Sequence, residues 1–116
     1  MTDDTRLPTA LWLDAHLRRL GQQGISYYIT QTGAYASGVI LLKIVNTAEK
    51  SCRLLTQQRN LDGQLVWMAA LKQEIVEEKE ADAYIQRATG RDPDLWVVEI
   101  EGRDGKNPFD DKQNTV

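Results

Sequence analysis

A chain of 116 residues, 41% hydrophobic and 27% charged, has the size and composition of one globular domain, which excludes a fibrous repeat and a disordered chain. The formal net charge is −3, with bases and acids gathered in opposite halves that imply internal pairing and no dominant basic face for nucleic acid, and no apolar run approaches the roughly 18 residues of a membrane span. The one cysteine, Cys52, has no internal disulfide partner, and the start, MTDDTRLP, lacks the basic and apolar regions of a secretory signal, so a cytoplasmic location is expected.

Residues 1–7 form a polar leader expected to be flexible. Pro8 and Thr9 then read as a helix start, with Thr9 placed to cap the first turn. Ala10, Leu13, Leu17 and Leu20 make one apolar stripe, and Gly21 or Gly24 ends the helix. From Ile25 the period changes to two. The runs ISYYITQ, GVILLKIV, CRLLTQ and LVWMAAL predict four strands. The short links TGAYAS, NTAEKS and RNLDG predict an antiparallel meander, because parallel neighbours need longer crossovers.

In EEKEADAYIQRATG, residues Ala81, Tyr84, Ile85 and Ala88 have helical spacing, and Gly90 closes a second helix. Pro93 disfavours helix at Asp92, and LWVVEIE is the fifth strand. Its alternation buries Trp96, Val98 and Ile100 together and turns Glu99 and Glu101 the other way, toward solvent or a base such as Lys43 or Arg53. Residues 106–116 are too polar to bury much and are expected to be flexible, leaving a single domain over 8–105. The predicted fold is α+β in two layers: a mainly antiparallel five-stranded sheet with two helices on one face, in the order α-β-β-β-β-α-β.

Charge is unevenly spread. Between Ile25 and Gln73 five bases face two acids, whereas between Glu74 and Asp104 ten acids face four bases. Opposite halves within one domain predict internal charge pairing.

The segments DPDLWVVEIEGRDG, EADAYI, SGVILLKI and ALWLDAHLRRL resemble a small bacterial family known as domain of unknown function 1491, over about Ala10 to Gly105. The tryptophan after Asp-Pro-Asp-Leu is the most specific part. The resemblance implies a small cytoplasmic α+β protein without an assigned activity, and it carries over no functional residues.

No residue is assigned a catalytic role, and no cofactor or metal is expected. A metal-dependent hydrolase or nuclease built on Glu99 and Glu101, with Asp92 or Asp104, is the alternative function. Those two glutamates lie about 7 Å apart on one strand face, but Asp94 and Glu99 are separated by roughly 16 Å and point to opposite faces. His16 reads as a helix-surface residue and Cys52 as a small buried hydrophobe, with no third group to make a catalytic set. TGAYASG lacks the lysine and following helix of a phosphate loop, and Arg18 and Arg19 read as solvated charges favouring the helix dipole.

The strands carry more. Ile25, Tyr27, Ile29, Ile40, Leu42, Ile44, Leu55, Val66 and Met68 are assigned to the core face beneath the helices. The opposite face collects Tyr28, Leu41, Lys43, Val45, Cys52, Leu54, Leu65, Trp67, Ala69 and Leu71, too apolar to be left in water. Tyr28, Leu41, Lys43, Leu54 and Trp67 are therefore the expected partner-binding face of a non-enzymatic interaction module that forms a homodimer. Single-stranded nucleic acid on Tyr28, Trp67 and Lys43 is a third, less favoured reading.

Overall fold

Helix α1 spans Thr9–Gln22, and its stripe of Leu13, Leu17 and Leu20 is buried as the spacing predicts. Each leucine contributes about 2 kcal/mol of apolar burial. Thr9 does not cap the helix through its side chain. The amides of Thr9 and Ala10 donate instead to the carbonyls of Ala36 and Tyr35, at 3.2 and 2.9 Å, so a neighbouring loop closes the helix start. At the other end Gly24, with φ of 81°, takes the left-handed conformation that stops a helix cheaply only at glycine.

The computed structural model describes residues 7–59, 61–102 and 107–109. Six strands follow α1: β1 Tyr27–Gln31, β2 Ile40–Asn46, β3 Ser51–Arg59, β4 Leu65–Ala69, β5 Val76–Glu77 and, after helix α2 at Glu78–Arg91, β6 Trp96–Gly102. The α+β class, the two helices and the mainly antiparallel sheet agree with the sequence reading. The two-residue β5, which pairs with β3 at Ser51 and Cys52, is additional.

The meander is interrupted. The sheet runs β1-β6-β2-β3-β4, with β6 antiparallel to β1 and parallel to β2. Loop 32–39 therefore bridges over an inserted strand instead of closing a hairpin. The continuous apolar runs ILL, from Ile40, and LWVV, from Leu95, are what a strand buried on both faces requires, and β2 and β6 are those central strands.

The two-layer expectation is corrected by the helix positions. Leu13, Leu17 and Leu20 of α1 pack with Ile40, Leu42, Ile44, Leu55, Trp96, Val98 and Ile100. Ala81 of α2, with Tyr84, Ile85 and Ala88, packs against Leu41, Cys52, Leu54, Leu95 and Val97. Adjacent residues of one strand divide between the two clusters, so the helices lie on opposite faces in a helix–sheet–helix arrangement. Two apolar faces need two covers, and each helix supplies one.

Strand β4 is also corrected. Gln57 pairs with Trp67 and Thr56 with Met68, which puts Trp67 on the α1 face and Val66 and Met68 on the other. Hairpin register sets this parity, and a slip of one residue exchanges the faces of a strand. The tail differs as well: Phe109 stacks between Trp12 and Trp67, with ring centroids 5.8 and 5.5 Å away. The flexible segment expected over 106–116 thus includes a docked aromatic anchor. Residues 1–6, 103–106 and 110–116, including Asp104, lie outside the described residues.

Candidate functional site

Register places Tyr28 of β1, Glu99 of β6, Lys43 of β2 and Leu54 of β3 in one row across the sheet, on the α2 face. Three residues of the expected partner face are thus brought together, with Leu41 two positions along β2. Trp67 is not among them. Leu41 and Leu54 are covered by α2 of the same chain, each 2% exposed, so this part of the face is intramolecular core. Lys43 is buried as well and Trp67 faces α1, so Tyr28, Lys43 and Trp67 do not form one stacking surface.

Lys43 is 4% exposed and fully engaged. Its Nζ donates to Glu78 Oε2 and Asp82 Oδ1, both at 2.7 Å, and lies 3.4 Å from Glu99 Oε1. Burial alone would lower its pKa, but the hydrogen bonds to Asp82 and Glu78 and the charge of Glu99 outweigh it and hold the ammonium well above the ordinary lysine range. Lys43 is therefore a permanent cation at neutral pH rather than a nucleophile or base. With Arg53 donating to Glu74 at 2.9 Å, the basic segment pairs with the acidic one, as the charge distribution predicts.

Glu99 points at Lys43, in line with the alternation, while Glu101 is exposed. The glutamate pair is thus divided by environment: one carboxylate is paired with a buried base and the other is exposed. Asp92 serves the turn from α2 into β6, its Oδ1 accepting from the Asp94 amide at 3.0 Å. Among the described residues no three His, Cys, Asp or Glu side chains converge to hold a metal ion.

Cys52 is buried beneath α2, where burial pushes its thiol pKa up, against formation of the thiolate. His16 lies across the sheet from it, 4.1 Å from Trp12 between ring centroids, with Arg19 Nη2 donating to its Nδ1 at 3.1 Å. The two cannot form a catalytic pair.

A groove of about 420 Å³ opens between α2 and the β1 edge, with Val97 and Glu99 as floor, Ile85 and Gln86 on the helix side, and Thr30 and Gln31 on the strand side. Thr30 marks a bulge, since Ile29 pairs with Val98 and Gln31 with Val97. Its hydroxyl donates to the Val97 carbonyl at 3.3 Å, and Gln31 Nε2 donates to that of Leu95 at 2.7 Å. A second cavity of about 450 Å³ lies beside Trp12, Val39, Gln57 and Leu65. The helix amides nearest it, on Thr9 and Ala10, are already spent on loop 32–39.

Sequence reasoning missed the edge itself. β1 ends the sheet, and no other described strand pairs with its outer side. From Leu20 to Leu42 there are 23 residues without one charged side chain, a signal legible by counting. Within that stretch Tyr28, Ile29, Tyr35 and Val39 are 55%, 45%, 59% and 44% exposed. Glu78 and Asp82 were missed too, their only signal being an i, i+4 spacing beside the apolar stripe of α2. Among the described residues no helix is long and apolar enough to cross a membrane.

Comparison with known proteins bears on the whole fold. The family described as "Protein of unknown function (DUF1491)" matches residues 7–110. A crystal structure of a DUF1491 family protein from Caulobacter crescentus CB15 is similar at 37% identity and a TM-score of 0.78, over 86% of this chain and 92% of that one. An NMR structure of a DUF1491 family protein from the same organism gives 36% identity and a TM-score of 0.77, over 89% and 92% of the two chains. The solution structure of protein Atu0922 from A. tumefaciens gives 26% and 0.68, over 84% and 86%. No curated protein matches the chain. A match spanning both helices and every strand, together with solved relatives of the same fold, places this chain in the DUF1491 family.

Proposed function

We propose that the protein is a non-enzymatic interaction module that works as a homodimer in the bacterial cytoplasm. The observation that carries this reading is the charge-free stretch Leu20–Leu42, with its four exposed large apolar side chains. At the chain's average charge content a run of this length would hold about six charged residues. Natural sheet edges are normally guarded by charge, especially lysine, and an unguarded apolar edge marks a contact surface.

The polar groups of the groove support binding over catalysis. Lys43 is tied up in ion pairs with Glu78, Asp82 and Glu99, and, outside the groove, Cys52 is buried with a raised pKa and His16 is on the far side of the sheet. A lone buried thiol is also at home in a reducing compartment.

Sedimentation equilibrium of the full chain tests the reading. A dimer is expected at micromolar concentration, with a dissociation constant changing less than threefold between low and high salt, because no charged side chain lies in the contact stretch. A monomer at millimolar concentration would overturn it.

A further inference from the structure

We infer that two copies join edge to edge through β1, antiparallel about a two-fold axis at Tyr28, so that the two sheets become one. This rests on the homodimer reading and names its surface. The Ser26 carbonyl accepts from the Glu101 amide at 3.1 Å, so the backbone of Ser26 faces into the subunit. Strand alternation then turns Tyr28 inward too and leaves the N–H and C=O groups of Tyr27 and Ile29 aimed outward. A two-fold axis at Tyr28 sets Tyr27 of each copy opposite Ile29 of the other. All four outward pairs of groups are satisfied by four hydrogen bonds.

The side chains suit the same register. Tyr28 faces Tyr28 as a non-hydrogen-bonded pair, the closer of the two antiparallel pair types, on the α2 side. Each tyrosine, 55% exposed in the single chain, then lies at the mouth of the groove that Thr30 and Gln31 open in the other copy. On the α1 side Tyr27 covers Ile29, which is 45% exposed in the single chain. An antiparallel strand that pairs with itself presents each of its charges to its own copy, and YYITQ has none to oppose. The bulge at Thr30 ends the regular run, which confines pairing to residues 26–30 and fixes the register.

The second copy is the occupant because the edge is complementary to itself in hydrogen bonding, in polarity and in charge. The other edge, β4, has an exposed Met68, but pairing β1 with β4 would be head to tail, without the two-fold axis of a self-paired edge.

The experiment is sedimentation equilibrium of the full chain and three variants, with circular dichroism to confirm folding. Tyr28→Lys sets two ammonium groups face to face on the axis while each stays beside its own Glu99. Ile29→Lys places a charge on the other side of the seam, and Met68→Lys is the control on the far edge. The expected result is a dimer for the wild type and Met68→Lys, and at least tenfold weaker association for folded Tyr28→Lys and Ile29→Lys. Should either β1 variant unfold, hydrogen exchange of the wild type decides: the Tyr27 and Ile29 amides gain protection with rising protein concentration if the seam forms, and their indifference overturns it. A dimer equally strong in all variants overturns the β1 seam and leaves the homodimer reading standing. A monomeric wild type removes both.

Discussion

Trp96 Nε1 donates a 2.8 Å hydrogen bond to the carbonyl of Ala34, tying the first residue of β6 to the loop that bridges over it. Gly33 and Gly38 flank that contact, and a Cβ on either would meet the Asp94 carbonyl oxygen and come within 2.6 Å of Trp96 Cδ1. Bare backbone at these two positions lets β6 insert between β1 and β2. Gly38→Ala should cost about 2 to 3 kcal/mol through overpacking, and Trp96→Ala about 3 to 5 kcal/mol through a cavity and a stranded carbonyl. Urea melts of both variants check this, and a loss below half a kilocalorie for Gly38→Ala would show that the loop yields.

The Lys43 network predicts an order of losses. Glu78 and Asp82 are half exposed and stay solvated when the lysine is removed, whereas Glu99, only 28% exposed, loses its ion-pair partner. Lys43→Met, which keeps the aliphatic stem under α2 but leaves three carboxylates without their cation, should lose about 1 to 3 kcal/mol, whereas Lys43→Ala should lose about 2 kcal/mol more by opening a cavity. Equal losses in denaturant melts would mean that the ion pairs, not the packing of the stem, hold α2 in place.

The same lysine gives the protein an alkaline limit. A pKa raised on folding means that its contribution is fully present below the ordinary lysine value of 10.5 and is lost as pH rises through the higher folded value. The urea midpoint of the wild type should fall above pH 10.5 more steeply than that of Lys43→Met, which lacks this titration. Parallel curves for the two proteins would remove Lys43 as the cause.

Phe109 predicts that the tail matters. An aromatic ring stacked on Trp12 and Trp67 contributes area burial and ring contact, so Phe109→Ala should lower stability by about 1 to 3 kcal/mol. Thermal melts of this variant and of a chain ending at Pro108 should agree, and an unchanged midpoint in both would show that the stack is not maintained in solution.

What could be read from the sequence was whatever period alone determines. The stripe of α1, the alternation of Trp96, Val98 and Ile100 against Glu99, and the pairing of a basic segment with an acidic one all follow from local pattern. Periodicity says that α2 has an apolar face, but not which side of the sheet it covers; only the unbroken apolar runs over residues 40–42 and 95–98, buried on both sides, carried that signal. The face of Trp67 depended on hairpin register, a tertiary property that residue type does not encode. Of the expected partner face, Tyr28 alone is both on the predicted side and open to solvent, because it is the one that sits on an edge strand.

The most direct test of the edge-to-edge homodimer is an isotope-filtered NOE experiment on a mixture of labelled and unlabelled chains, which reports only contacts between copies. The expected spectrum holds intermolecular cross-peaks from the Tyr27 ring to the Ile29 methyl groups and between the two Tyr28 rings. Cross-peaks arising instead from α2 or from Met68 on β4, or none at all at millimolar concentration, would contradict it.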